Sequence, residues 1–322
     1  MIKKVLITGV NGFVGTHLVK YLAQEHPGVE IFGLVLKDVN DVIKKLSVNI
    51  LQCNILDKDR LKTIISEIRP DAIFHLAAQS YVSTSWENPE KTLETNIIGQ
   101  SNLLEAIRAI KDDAFGPVVL IAGSCEEYGT IAEDENPVSE NNPLRPLSPY
   151  AISKVAQDFM GYQYYTNYGL KIIRIRAFQH TGPGRPPVFG ISNFAKQVAE
   201  IEAGKKEPEI RVRDDSAVRD FSDVRDVVRA YWLAVNQCQP GHVYNVCSGK
   251  GTSIKDILEK LISISKVKDI KIVRDEKDRR PTDGGVMIGD NGKFIAATRW
   301  RPEIDFLDET VPSILDYWRK QM

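Results

Sequence analysis

Cysteine is scarce in this 322-residue sequence: only Cys53, Cys125, Cys238 and Cys247 are present. No two of them form a CxxC pair, and none stands at metal-ligand spacing with the five histidines. A structural zinc site and a disulfide scaffold are thereby excluded, and no metal is expected. Four thiols without partners suit a reducing, cytoplasmic setting. Excess charge is missing too. Lysine plus arginine (42) nearly cancels aspartate plus glutamate (43), for a net charge of -1. Proteins that hold nucleic acid by counterion release carry a large positive excess, so no nucleic-acid partner is expected. No apolar run approaches the ~20 residues that span a bilayer, so no membrane association is expected. The apolar stretch after Lys3-Lys4 stops at Thr8-Gly9, too soon for a signal peptide. Repeats and low-complexity segments are also lacking.

What is present is the mix of a globular protein, with 43% apolar and 26% charged residues, at a length for one large or two coupled domains. Short β-branched runs (Val5 to Thr8, Glu30 to Leu36, Asn49 to Cys53, Ala72 to Leu76, Val118 to Ala122, Lys171 to Arg176) alternate with helix-length segments. The latter include Asp59 to Ile68, Lys91 to Ile110 and Pro149 to Tyr168. This alternation predicts an α/β fold, a parallel sheet covered by helices on both faces. After residue 180 the pattern loosens at Gly182-Pro183-Gly184-Arg185-Pro186-Pro187. Helices are predicted near Ser192 to Ala203, Ser253 to Ile264 and Glu309 to Arg319, with a strand near Val243 to Val246. A second, smaller and discontinuous domain is expected there. The charge-dense run Arg274 to Arg280 reads as a solvated loop.

Between the first strand and the first helix lies Thr8-Gly9-Val10-Asn11-Gly12-Phe13-Val14-Gly15. Glycines there allow a tight turn and let backbone N–H groups approach a pyrophosphate at the helix N-terminus. The spacing is GxxGxxG, and a glycine triad alone could be turn chemistry; the strand before it and helix after it supply the required context. Gly9, Asn11, Gly12, Phe13, Val14 and Gly15 are therefore candidates for dinucleotide binding. The acidic residue that usually binds the adenosine ribose about 20 positions on is missing, since Val35 stands near its place. Lys37 is the nearest cation. A cation suits a 2′-phosphate, which favours NADP(H) over NAD(H), although a loop lysine beside Asp38 explains Lys37 almost as well.

Ser148 and Pro149 begin a helix as N-cap and first position, which sets Tyr150 and Lys154 on one face. A free phenol titrates near pH ~10. A neighbouring ammonium is expected to lower that value and make Tyr150 a usable proton donor or acceptor. YxxxK is common by chance. Here Ser124 follows the fifth strand and should point into the same crevice, because ligands of open parallel sheets sit beyond the carboxyl ends of strands. His75-Leu76-Ala77-Ala78 brings small residues to that crevice after the fourth strand.

TGxxGxxG, HLAA, SxxxYG and YxxxK in this order resemble the extended short-chain dehydrogenases/reductases that act on nucleotide-sugars. The likeness spans nearly the whole chain and includes Val218 to Asp226 (VRDFSDVRD) and Arg280-Pro281. Within that family, RPLSPYAISK, the GPG after strand six and VYNVCSG look closest to the GDP-4-keto-6-deoxy-D-mannose reductases, with the GDP-mannose 4,6-dehydratases next. The resemblance implies a Rossmann-type doubly wound parallel sheet formed by residues 1–180 with roughly 223–248 and 303–322. Roughly 181–222 and 249–302 would form the nucleotide-sugar domain.

It also implies roles. Tyr150 would exchange a proton with the sugar oxygen at C4, and Ser124 would hydrogen-bond that oxygen. Lys154 would hold the nicotinamide ribose. Asn54 and Ile55 would lie near the adenine, and Leu76, Ala77 and Ala78 along the cofactor. Arg219 and Arg280 would grip the diphosphate of a GDP-sugar, where a planar guanidinium suits paired phosphate oxygens. Asn193 and Lys196 would line the sugar-nucleotide cleft, and Ser80, Ser85 and Gln179 would contact substrate. Relatives usually carry asparagine at the position of Gln179 and aspartate at that of Asn54. The implied reaction is reduction of a C4 ketone by NADP(H) or NAD(H). Glu126 stands where dehydratases carry the glutamate that removes the C5 proton, so a 4,6-dehydratase stays open. A non-catalytic dinucleotide-binding protein is the remote alternative, disfavoured because Ser124, Tyr150 and Lys154 are all intact. Helices Lys91 to Ile110 and Pro149 to Tyr168 would form a homodimer bundle, the second presenting Phe159, Tyr162 and Tyr165; packing within a monomer explains that stripe nearly as well.

Overall fold

Val5, Leu6 and Ile7 are consecutive and all fully buried, which a strand achieves only with cover on both faces. The computed structural model describes residues 2–212, 214–274 and 285–322 and supplies that cover. The first half runs β1 (Lys4–Thr8), α1 (Phe13–Glu25), β2 (Glu30–Val35), α2 (Asp41–Lys44), β3 (Asn49–Gln52), α3 (Lys58–Ile68) and β4 (Ala72–His75). It continues through α4 (Val82–Glu87), α5 (Pro89–Leu93), α6 (Gly99–Arg108), β5 (Val118–Ser124), α7 (Pro149–Tyr168) and β6 (Ile172–Ala177). A π-helical turn at Glu94–Ile98 joins α5 to α6 without a break, so the helix expected over Lys91 to Ile110 is present and carries a π-bulge.

β10 (Val243–Val246) completes a seven-stranded parallel sheet in the order β3-β2-β1-β4-β5-β6-β10. Successive strand residues alternate between its two cores. Val5, Ile7, Phe74, Leu120, Ile173 and Ile175 face the core that also holds Leu18 and Leu22 of α1 and Val227 of α9 (Val224–Gln237). Leu6, Ile73, Val119, Ile121 and Ile172 face the core holding Leu61 of α3 and Leu103 of α6. The sheet is thus the doubly wound, Rossmann-type arrangement, and its order reverses between β1 and β4.

The remaining elements are β7 (Gln179–Thr181), α8 (Gly190–Glu202), β8 (Glu209–Val212), β9 (Val218–Asp223), β11 (Gly251–Ser253), α10 (Ile254–Ser263), β12 (Lys271–Arg274), β13 (Val286–Met287), α11 (Gly292–Thr298) and α12 (Val311–Arg319). β9 pairs with β7, β11 and β13, and β8 pairs with β12. These short strands carry few apolar residues in sequence and were legible only as irregular chain. Arg280 and Pro281 lie outside the described residues.

The ends of the chain pack differently from the expected boundaries. Residues 303–322 were assigned to the large sheet, yet Phe306, Val311, Ile314 and Leu315 pack with Ile191 and Val198 of α8 and Leu258 of α10. Arg319 fixes this docking through hydrogen bonds of 2.8 Å to both carboxylate oxygens of Glu202 on α8. Conversely, Phe294 and Trp300, from the segment 249–302, join the core beneath the large sheet. Phe294 packs edge-on against Tyr244 of β10 and against Trp300.

Leu315 is fully buried in the α8–α10–α12 core. Leu315→Ala is expected to lower the unfolding free energy by about 2–5 kcal/mol in urea denaturation. A loss under about 1 kcal/mol, the range of a surface substitution, would mean that α12 is not docked there.

Candidate active site

The crevice begins where β1 and β4 end. Gly9 has φ +70°, and a Cβ there would stand 2.8 Å from both N and Cα of Ala77. Only glycine lets the two strand ends pass this closely. The Thr8 hydroxyl accepts from the N–H groups of Leu76 and Ala77, each at 3.1 Å, and lies 2.9 Å from His75 Nδ1. Burial, helped by the charge of Lys154, pushes His75 down to about 3, so the ring is neutral. Asn96, in the π-helical turn, ties the loop after β4 to α7. Its Oδ1 accepts from Gln79 N at 2.8 Å, and its Nδ2 donates to Ser153 Oγ at 2.8 Å. Gly12, the N-cap of α1, brings no side chain to bond the first amide groups of that helix. Those groups remain available to an anion.

Above the crevice is a cavity of about 340 Å³. Gly9, Gly12, Phe13, Val14 and Gly15 form one wall, and Leu76, Ala77, Ala78 and Ser80 another. Tyr150 and Lys154 close its inner end. Among the described residues, Lys154 and Arg185 are the two cations on its wall, and no carboxylate lines it. Glycine-lined backbone, two cations and free helix amides fit a dinucleotide with its pyrophosphate.

At the inner end, the Ser148 hydroxyl accepts from Ala151 N at 3.0 Å and starts α7 as an N-cap. Tyr150 follows and is buried, with its hydroxyl hydrogen-bonded to Ser124. The neighbouring ammonium was expected to lower the phenol. Burial instead raises it well above its ordinary value, opposed by the Ser124 hydrogen bond and reinforced by the Glu126 carboxylate. Lys154 Nζ lies 5.8 Å from the Tyr150 ring centroid and donates to Ala122 O at 2.8 Å. Burial, opposed by the Glu127 carboxylate, brings Lys154 itself down to about 8. In this state the cavity wall holds a neutral phenol and an ammonium, and the Ser124 hydroxyl, which does not itself line the cavity, lies against the phenol.

Arg185 was read only as part of an irregular proline-glycine stretch. Its guanidinium lies over the rings of Phe13, at 4.8 Å, and Phe189, at 3.6 Å. Among the described residues it has ring contacts but no hydrogen bond or ion pair. Tyr81 packs against Phe189 at 5.3 Å between ring centroids, so the loops after β4 and β7 meet over the cavity. His180 and Tyr231 also line it. Only the fold brings these residues together; the proximity of Arg185 to the GPG loop was the single available signal.

Other expected site residues lie outside this cavity. Lys37 is exposed and makes no contact with a partner among the described residues. Asn11 holds the loop after β2 by donating to Asp38 O at 2.5 Å and accepting from Asn40 N at 2.9 Å. Asn54 Oδ1 caps a turn at Leu56 N, and Ile55 is buried in a core cluster. The Ser85 hydroxyl is fully buried and donates to Val82 O at 2.7 Å, a helix-internal bond. Gln179 Oε1 is buried without a hydrogen-bond partner among the described residues. Asn193 donates to Pro187 O at 3.0 Å, and Lys196 pairs with Glu200 at 3.4 Å beside the Trp318 ring. Arg219 donates to Val218 O at 2.9 Å and Gly285 O at 2.8 Å. Glu126 is half-buried next to Ser124 and makes its field felt at Tyr150.

Comparison with known proteins gives the same architecture a lineage. The pattern of the GDP-mannose 4,6 dehydratase family matches residues 6–311. A GDP-6-deoxy-D-mannose reductase of Pseudomonas aeruginosa is 32% identical over 322 residues, covering 100% of this chain and 99% of that protein. A GDP-mannose 4,6-dehydratase of Vibrio cholerae is 28% identical over 94% of this chain and 91% of its own length. Among solved structures, RMD from Pseudomonas aeruginosa complexed with NADPH superposes with a TM-score of 0.86 at 32% identity, over 99% of this chain and 100% of that one. The Thermus thermophilus UDP-glucose 4-epimerase complex with NAD gives 0.85 at 29% identity, over 99% and 100%. With a match from residue 6 to residue 311 and the doubly wound sheet already described, this chain belongs to the GDP-mannose 4,6 dehydratase family, within the extended short-chain dehydrogenases/reductases.

Proposed function

We propose that this chain is a nucleotide-sugar 4-ketoreductase that uses NAD(P)H to reduce the C4 ketone of a GDP-4-keto-6-deoxyhexose, in the sense GDP-4-keto-6-deoxy-D-mannose to GDP-D-rhamnose. The observation that carries this reading is the neutral phenol of Tyr150, buried on the cavity wall and bonded to Ser124. A nascent alkoxide requires a proton donor, and a phenol held above its ordinary pKa keeps its proton until such a base forms. When bound, the reduced nicotinamide cofactor supplies the hydride. Tyr150 gives its proton to the sugar oxygen while the Ser124 hydroxyl donates to the same atom. Lys154 keeps one proton on Ala122 O and has two more for ribose hydroxyls, and its charge stabilises the phenolate left on Tyr150. Gly9, Gly12, Phe13, Val14 and Gly15 cradle the pyrophosphate, with Arg185 supplying its positive charge. NADP(H) is the preferred form in this reading, with Lys37 and Asn11 at the adenosine end. Arg219, Asn193, Lys196 and Gln179 would contact the GDP-sugar in this reading.

A second reading, 4,6-dehydration, is favoured by one residue. Glu126 sits beside Ser124 on the same turn, where a carboxylate could remove a proton from the sugar. The Vibrio cholerae relative bears that name.

The exposed side chains of α7, Phe159 (56%), Tyr162 (49%) and Tyr165 (36%), form an apolar stripe together with Ile152 (49%). Such a stripe is best covered by a second copy of the chain in a homodimer. Four free, buried cysteines suit the cytoplasm.

With GDP-4-keto-6-deoxy-D-mannose and NADPH, the absorbance of reduced cofactor is expected to fall by one equivalent per equivalent of sugar. Conversion of GDP-mannose without added reductant, and no loss of NADPH with the keto sugar, would favour the dehydratase instead. Tyr150→Phe is expected to lower kcat by about 10²–10⁴-fold while the dissociation constant of NADPH stays unchanged. Arg185→Ala is expected to weaken NADPH binding by about tenfold or more in fluorescence titration, the cost of losing a charged hydrogen-bond donor to phosphate. Phe159→Arg is expected to shift the protein toward monomer in light scattering; an unchanged mass would place the stripe outside any interface.

A further inference from the structure

Next to Ser124 lies a buried cluster of charge that the proposed chemistry does not use. The turn Cys125–Glu127 follows β5, and Glu127 is fully buried at its end. Glu127 Oε1 accepts from Ser124 N at 2.8 Å. This carboxylate packs so closely that a Cβ on Gly123 would lie 2.5 Å from Oε1. Glu127 Oε2 is 3.3 Å from Arg176 Nε, yet it has no hydrogen bond of acceptable geometry among the described residues. The same Arg176 Nε bonds Asp158 Oδ2 at 2.7 Å, and Arg174 bonds the other oxygen of Asp158. The carboxylates of Glu127 and Asp158 thus converge on one nitrogen, Arg176 Nε, at 3.3 and 2.7 Å.

An orphaned carboxylate oxygen in a dry site is very costly, and beside a second carboxylate more so. A proton on Oε2 resolves both costs, because a neutral Glu127 donates to Asp158 while Oε1 still accepts from Ser124. We infer that Glu127 is a positioning residue: protonated, it bridges the turn that carries Ser124 to Asp158 of α7, the helix that carries Tyr150 and Lys154. Burial and the Asp158 charge raise Glu127 from its ordinary range to about 8, which agrees with a proton held there at neutral pH. The groups facing it are Asp158, Lys154 and Tyr150 from α7, Arg176 from β6, and Cys125, Glu126 and Tyr128 from its own turn. Asp158 is already bonded by both arginines of β6, so it is the fixed partner and Glu127 the group that gains or loses the proton.

The inference deepens the reductase reading and rests on it for its activity arm, whereas its infrared and stability arms do not. Glu127→Gln keeps an acceptor for Ser124 N and a donor for Asp158, and Glu127→Leu keeps neither. In the reductase assay, Glu127→Leu is expected to lose kcat on the order of a hundredfold, through misplacement of Ser124 relative to Tyr150, with NADPH affinity unchanged. Glu127→Gln is expected to rescue most of that loss. A glutamine variant as impaired as the leucine variant would mean that the ionised carboxylate is needed, as a counter-charge for Lys154, and would overturn the inference. A leucine variant that merely melts earlier at full kcat would also overturn it, leaving Glu127 a structural residue.

The infrared spectrum of the wild-type protein at pH 7 is expected to show the carbonyl stretch of a buried, protonated carboxylic acid, fading as the pH passes about 8. The band is read with or without turnover, and its absence overturns the inference. The stability arm has a definite sign. A raised folded-state pKa stabilises fully below the unfolded value of 4.5 and is lost as pH rises through about 8. Wild type is therefore expected to lose stability relative to Glu127→Gln across that window. A difference that stays constant from pH 5 to pH 9 would assign Glu127 an ordinary, ionised carboxylate.

Discussion

The site depends on the close passage of two backbones where β1 and β4 end. With no side chain on Gly9, Ala77 approaches to a distance that any Cβ would occupy. The Thr8 hydroxyl then bonds the amides of Leu76 and Ala77 and pins the approach. The reversal of strand order at this point opens the crevice, and the helix that follows aims its free amides into it. The cavity walls, the two cations and the phenol are arranged around this junction. The GPG loop reaches it from the other part of the chain, through Pro183 O at 2.9 Å from His17 and Arg185 over Phe13.

Within the cavity, burial outranks charge. The ammonium of Lys154 would ordinarily favour a phenolate on Tyr150, yet desolvation of the phenol wins and holds its proton. Lys154 is desolvated as well and drifts toward neutrality. A site that keeps an acid protonated in a dry pocket is suited to deliver that proton when negative charge develops on a substrate oxygen. The same principle operates next to Ser124, where Glu127 and Asp158 share one environment that cannot hold two bare carboxylates against a single side of Arg176.

Much of this was legible in the sequence where local chemistry is strong. The glycine loop between a strand and a helix, the Ser148–Pro149 helix start and the Tyr150–Lys154 spacing all depend on neighbours within a few residues. Those features appear as expected around one cavity. What was not legible depends on distant packing. Arg185 finds Phe13 only after the chain has folded, and nothing in the residues around either one announces the contact. The run of strand six read as apolar, although Arg174 and Arg176 occupy alternate positions facing Asp158 of α7, a buried ion cluster hidden by the β-branched residues between them. The docking of α12 against α8 likewise rests on contacts between residues more than a hundred positions apart, such as Arg319 with Glu202. Lys37 is exposed beside Asp38, and neither its charge nor its exposure by itself distinguishes a cofactor contact from an ordinary loop lysine.

The central claim is that Tyr150 stands ready as a proton donor, neutral because its pocket is dry. Nuclear magnetic resonance of protein labelled at the tyrosine ring carbon bearing the hydroxyl, with the Tyr150 signal assigned by its loss in Tyr150→Phe, measures this directly. The signal is expected to stay at the neutral-phenol position past pH ~10, where a free tyrosine is half ionised. A phenolate signal from Tyr150 at neutral pH would contradict the account.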